Sequence, residues 1–235
     1  MMALSKEAAD DDANACKLSV DHAHSGLKST IDAQKNYLII KWLMDLFGAF
    51  FGIILLSPVF LVISLLIKLD DPNGKILFKQ IRVAQNGTLF QIYKFRSMVS
   101  NAEDLLDSLV NQNEISGAMF KMKEDPRVTR IGRFLRMTSL DELPQLFNVL
   151  HGEMSLVGPR PPLPREVDEY TAYDKQRLLV KPGCTGLWQV SGRSNLDFKD
   201  MVTLDLQYIH SRSLLFDLKI AFKTIHMLFG SKNAF

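Results

Sequence analysis

The chain has only two cysteines in 235 residues, Cys16 in a polar stretch and Cys184 in a glycine-rich one, so neither a disulfide framework nor zinc spacing is available. A reducing compartment fits. His22, His24, His151, His210 and His226 show no metal-ligand pattern, and the pair His22 and His24 sits in a polar run that reads as solvated. Net charge is nearly absent at +2, which disfavours a globally basic nucleic-acid binder and leaves basic character to local clusters. The chain does not open on a short apolar run with a small-residue cleavage site, so no signal peptide is expected. No internal repeat is visible. The most informative absence lies between Leu46 and Ile67, 22 residues without a charge. As a helix they reach roughly 33 Å, enough for a hydrocarbon core of about 30 Å. A buried helix of a soluble protein normally keeps a polar face, and this one has none. The segment belongs in a membrane.

Ser57-Pro58 interrupts that run near its middle, where a proline breaks the hydrogen-bond ladder and bends the axis. Lys35 and Lys41 precede it, and Lys68, Lys75, Lys79 and Arg82 follow it, so positive charge gives no direction and suits both ends on the cytoplasmic face. The reading is a re-entrant membrane helix over 37–69, bent at Ser57 and Pro58, with a spanning helix as the alternative. Lys41 and Asp45, four apart, either pair at the interface or snorkel independently. Residues 1–36, polar and carrying Asp10-Asp11-Asp12, read as a disordered tail. Residues 70–235 are left as one domain, long enough to bury a core.

Within that domain, Ile76-Leu77-Phe78 and Leu89–Tyr93 flank Gln85-Asn86-Gly87, a β-hairpin signal. Lys94 and Arg96 share one face of the second strand. Ala102–Asn113 reads as an amphipathic helix, 112–125 as a loop, and Arg165–Val180, with Arg177 near its end, as a helix that Lys181-Pro182-Gly183 stops. Gly186–Arg193 sets Trp188, Gln189 and Arg193 between glycines. Trp188 suits base stacking and packing equally, while Gln189 and Arg193 suit a nucleotide sugar. Asp197–Ser211 and Leu214–Phe229 are further helices, able to lie in the headgroup plane or in a core.

Thr129–Pro161 concentrates the chemistry. Arg127, Arg130, Arg133 and Arg136 recur every third residue and make a basic stripe if the segment is helical. Asp141-Glu142 follows, in a Ser-x-x-Glu pattern. With Ser139 as N-cap, Pro144 would fall inside the helix; with Asp141 as N-cap it falls at a position whose N–H is unpaired anyway, which favours the second register. Pro159 and Pro161 then restrict the backbone on both sides of Arg160. Carboxylates among arginines are suited to phosphate chemistry.

The stretch SLDELPQLFNVLHGEMSLVGPRP, with IYKFRSM before it and KPGCTGLWQVSGR after it, resembles the bacterial sugar transferase family, the monotopic polyprenol-phosphate phosphoglycosyl transferases. The resemblance runs from about Lys41 to the C-terminus. It implies an α+β, predominantly helical fold: a re-entrant membrane helix, a β-hairpin and amphipathic interface helices around a small catalytic domain at the cytoplasmic face of the cell membrane. It implies transfer of a hexose-1-phosphate from a UDP-sugar to undecaprenyl phosphate, releasing UMP, with membrane lipids and other polysaccharide-assembly enzymes as partners. Asp141 would be the nucleophile and the Mg²⁺ ligand, and Glu142 a positioning or proton-accepting group. Lys94, Arg96, Arg136, Arg160, Arg177, Gln189 and Arg193 would contact substrate or phosphate. Larger members carry extra membrane helices before the catalytic part, so the chain resembles the minimal catalytic form. Two other readings stay open: a membrane glycosyltransferase releasing UDP, and a non-catalytic scaffold of a polysaccharide assembly system.

Overall fold

A computed structural model describes residues 31, 34–102, 104–109, 122, 124–192 and 196–230. Arg193, nearly all of the tail and most of the 112–125 loop lie outside the described residues. The first element is a 36-residue helix, α1 (Lys35–Asp70). It is helical through Pro58, and the residues explain how. Pro58 cannot donate to the carbonyl of Ile54, and the Ser57 hydroxyl donates to it instead at 2.8 Å. The expected interruption is therefore a proline inside one helix. Only Asp45, Ala49, Ile63 and Ile67 of α1 are buried. Trp42, Phe47, Phe51, Leu55, Leu61 and Leu65 are at least half exposed, an apolar surface unlike that of a soluble protein's core helix.

The helix touches the rest of the chain on both sides of Pro58. Ala49 joins a core cluster with Phe90, Ile92, Val149 and Met154, and Ile63 and Ile67 join another with Phe95 and Leu135. The hairpin is as the Asn-Gly turn predicts: β1 (Leu77–Val83) pairs antiparallel with β2 (Leu89–Phe95), and Asn86 and Gly87 both take positive φ, 57° and 78°. β1 is longer than expected because Lys79, Gln80 and Arg82 place polar residues on both of its faces and hide the apolar pattern. Next come α2 (Leu106–Leu109), α3 (Arg130–Met137), a 3₁₀ turn at Leu140–Glu142 and α4 (Gln145–Leu150).

The C-terminal part is built on two short parallel strands, β3 (Ser155–Val157) and β4 (Gly183–Thr185). Around them lie α5 (Pro164–Asp168), a 3₁₀ turn at Asp174–Leu179, α6 (Leu187–Ser191), α7 (Phe198–Ser211) and α8 (Leu214–Gly230). The continuous helix expected over 165–180 is broken: the Thr171 N–H and hydroxyl both donate to Asp174 Oδ2, at 2.9 and 2.7 Å, a local turn that competes with helix. Leu215, Leu218, Phe222 and Ile225 form an exposed stripe along α8, so this helix is only partly in the core. The architecture is mostly helical with a few strands and one long apolar helix.

Candidate active site

Pro144 decides the backbone at the carboxylate pair. Its ring forbids a regular turn with the residues before it, so the chain makes a 3₁₀ turn over Leu140–Glu142 and α4 starts only after Pro144. Both N-cap registers read from the sequence are thereby corrected: neither Ser139 nor Asp141 caps α4. Ser139 instead adopts φ 54°, a left-handed conformation that costs a non-glycine residue energy and often marks a functional turn. The genuine cap upstream is Thr129, whose Oγ1 accepts the Gly132 N–H at 2.9 Å and opens α3.

Asp141 is buried, 8% exposed, and no side-chain donor is hydrogen-bonded to its carboxylate among the described residues. Burial pushes its carboxyl up to about 6; Lys94 and Arg136 oppose that rise and the adjacent Glu142 adds to it. Glu142 moves the other way. Burial would raise it, but Lys94, Arg160 and Arg82 together hold it below the ordinary glutamate range. Its partner is Lys94 Nζ, 2.5 Å from Oε1, delivered by β2. Asn148 fixes that delivery: fully buried on α4, it accepts the Tyr93 N–H at 3.0 Å and donates to the Gln91 carbonyl at 2.7 Å, stitching the carboxylate-bearing segment to the strand of Lys94. Arg136, at the end of α3, donates through Nε to the buried Ser97 hydroxyl at 3.0 Å.

Arg160 arrives by a different route. β3 and β4 run parallel, so the turns that leave their C-terminal ends lie together. A Cβ on Gly186 would come 2.3 Å from the Gly158 carbonyl oxygen, and only glycine permits that approach. This brings the Gly158–Pro161 loop beside the segment that carries Trp188 and Gln189. Arg160 is steadied by Glu166, 2% exposed, whose Oε2 lies 3.5 Å from the guanidinium and accepts the Leu163 N–H at 2.9 Å. Trp188 is buried, which favours its packing role.

Lys94, Arg136, Asp141, Glu142 and Arg160 are thus linked by contact or by charge. Two other predicted contacts lie elsewhere. Arg96 binds Asp71 at 3.1 Å beyond the end of α1, packed against Gly74. Arg177 is 4% exposed, ion-paired to Asp205 at 2.6 Å and donating to the Tyr170 hydroxyl at 2.9 Å, so it belongs to the core. Nor do the arginines form one stripe: Arg127 is buried against Asp125, Arg130 and Arg133 are exposed, and only Arg136 turns to the carboxylates. Sequence reasoning missed Asn148, Glu166 and Arg82, the last a buried arginine that shifts Glu142. Only the two-residue period of a strand, which puts Arg82 on the face of Phe78, could have marked it.

No cluster of three metal-ligating side chains occurs among the described residues. Asp141 alone would hold Mg²⁺ only together with substrate phosphate oxygens and water, since Lys94 and Arg136 oppose a bare cation there.

Residues 36–231 match the bacterial sugar transferase family. The chain is 46% identical over 194 residues to galactosyl transferase CpsE of Streptococcus agalactiae, covering 82% of this chain and 43% of that protein. Identity is 42% over 207 residues to the undecaprenyl-phosphate galactose phosphotransferase of Salmonella typhimurium, with 86% and 43% covered. It is 40% over 201 residues to exopolysaccharide production protein ExoY of Sinorhizobium fredii, with 84% and 88% covered. The chain spans less than half the length of the first two and most of the third. On the family match and the extent of this identity, the chain belongs to the bacterial sugar transferase family.

Proposed function

We propose that the chain transfers a sugar-1-phosphate from a UDP-sugar to undecaprenyl phosphate, giving undecaprenyl-diphosphate-sugar and UMP, as an early membrane step of exopolysaccharide or capsule synthesis. The observation that carries this reading is a buried carboxylate, Asp141, with no side-chain donor hydrogen-bonded to it among the described residues, under the charge of Lys94 and Arg136, while Arg160 acts on the adjacent Glu142. The Salmonella relative is named for undecaprenyl phosphate and galactose phosphate transfer, which supports both the acceptor and a hexose donor.

Two phosphorylated substrates repel, and a carboxylate nucleophile separates their reactions in time. An Asp141 oxygen attacks the sugar-linked phosphorus, and the bond from that phosphorus to the bridging oxygen breaks. UMP leaves with the electron pair. A phosphate oxygen of the lipid then attacks the same phosphorus, the bond to Asp141 breaks, and the carboxylate is regenerated. Arg136 and Arg160 stabilise charge on the phosphoryl oxygens, and Glu142 keeps Lys94 oriented toward them. Mg²⁺, held by Asp141 and phosphate oxygens, would supply charge neutralisation.

The packing of α1 bears on the membrane arrangement. Its two halves pack on one body, which supports a helix that enters the cytoplasmic leaflet and stays on that side. The test of function is intact mass after incubation with Mg²⁺ and UDP-hexoses, without lipid. The expected result is a gain of one hexose phosphate, lost in Asp141→Asn. UMP appearing only when lipid is added would replace the two-step route by direct transfer, and release of UDP would make the enzyme a glycosyltransferase.

A further inference from the structure

Among the described residues, Arg82 is the one buried cation near the carboxylates that the two-step reaction does not use. It is 7% exposed, and among the described residues no carboxylate forms an ion pair with it. Nη1 donates to the Pro161 carbonyl at 3.0 Å and Nη2 to Gln80 Oε1 at 2.7 Å, while Nε is out of solvent with no acceptor. The neighbouring backbone repeats the connection, with the Val83 N–H donating to the Pro162 carbonyl at 2.9 Å. The end of β1 is therefore stitched to the loop of Arg160, whose positive charge acts on Arg82. Burial, and then the charge of Arg160, lower the pKa of Arg82 to about 9. The nearby anions are engaged: Glu142 by Lys94, and Glu166 by Arg160 and the Leu163 N–H. A buried cation beside a like charge is unfavourable until an anion joins it.

The cations divide between the two carboxylates. Asp141 is influenced by Lys94 and Arg136, whereas Glu142 is influenced by Lys94, Arg160 and Arg82. One phosphoryl group at Asp141 leaves the Glu142 side for a second. We propose that Arg82 and Arg160 form a subsite for a phosphate monoester on the Glu142 side of the pair. This deepens the proposed function and rests on it. The same chemistry has two sources, the nucleoside monophosphate that leaves and the polyprenol phosphate that arrives, and in a two-step reaction they need not be bound together.

The test uses the full chain in detergent with Mg²⁺, titrated separately with UMP and with a short-chain prenyl phosphate, in wild type, Arg82→Gln and Arg82→Lys. The expected result is a roughly 10- to 100-fold weaker affinity in Arg82→Gln, the scale of losing a charge-assisted hydrogen bond. Arg82→Lys keeps a charge and a donor for Pro161 and is the control if Arg82→Gln fails to fold. Weakening for UMP alone assigns the subsite to the leaving nucleotide, for prenyl phosphate alone to the acceptor, and for both to one shared place. A phosphorus NMR titration of saturating UMP separates contact from loop support. Arg82 in contact holds the second phosphate pKa below its free value, and Arg82→Gln releases it. Unchanged affinities in a variant whose wild type releases UMP from UDP-sugar would overturn the subsite and leave the function standing. A wild type that releases no UMP removes both.

Discussion

Asp141 is ionised at pH 7 at a cost to the fold. Its carboxyl titrates at about 6 when folded, against 3.8 ordinarily. The folded chain thus favours the protonated form, and that contribution, complete below about 3.8, is lost as pH rises through about 6. Asp141→Asn, which removes the charge but keeps the shape, should raise the melting temperature at pH 7.5, with a gain that shrinks as pH is lowered toward 5. A variant melting at or below wild type throughout would contradict the burial argument. The same titration sets the first chemical step: single-turnover adduct formation should fall about tenfold per pH unit below about 6, because only the carboxylate attacks. Arginines at two places should behave differently. Arg177→Met leaves Asp205 buried and uncompensated and should cost about 3–5 kcal/mol in urea unfolding, with turnover per folded molecule largely kept. Arg160→Lys should keep its melting temperature and lose turnover, since an ammonium cannot reproduce the guanidinium fork.

Among the elements, α4 and β2 depend on one side chain. Asn148→Ala strips partners from the Tyr93 N–H and the Gln91 carbonyl and should cost about 2–4 kcal/mol. It should also slow adduct formation in the molecules that remain folded, because Lys94 then lacks a fixed register against Glu142. Unfolding curves together with intact mass measure both, and a stability loss without a rate change would reduce Asn148 to a packing residue. The sequence made some of this legible. An absence of charge marks α1, Asn86-Gly87 marks the hairpin, and adjacent carboxylates after Arg136 mark the 3₁₀ turn proposed to carry the chemistry; all three are local signals. What stayed hidden depends on partners distant in the chain. Lys94 and Arg96 look alike on one strand, yet one meets Glu142 and the other Asp71. Arg177 looks like a phosphate ligand until Asp205, 28 residues on, claims it. Arg82 gains its meaning from Pro161, 79 residues away. Periodicity has no access to such pairings.

For the whole molecule, the question is how an apolar helix of about 54 Å meets a bilayer whose hydrocarbon core is about 30 Å. Crossing would need the two ends of α1 on opposite sides. The packing ties both to one body. Near the start, Lys41 binds Asp217 at 3.1 Å, the Tyr37 hydroxyl donates to the same carboxylate at 2.8 Å, and Asp45 accepts the Leu156 N–H at 2.9 Å. Past Pro58, the Phe60 ring lies tilted against Phe95 and edge-on to Phe147, with centroids 5.4 and 6.0 Å apart, and Asp71 holds Arg96 at 3.1 Å. A spanning helix would have to break one of these sets, exposing buried polar groups to lipid or water. Single cysteines at Asn36 and Asn73, both exposed, in a chain with Cys16→Ser and Cys184→Ser, report the outcome in sealed membrane vesicles. A membrane-impermeant maleimide should label both positions from the cytoplasmic side and neither from the other. Labelling from opposite sides would show that α1 crosses, and the contacts at one of its ends would then have to be abandoned.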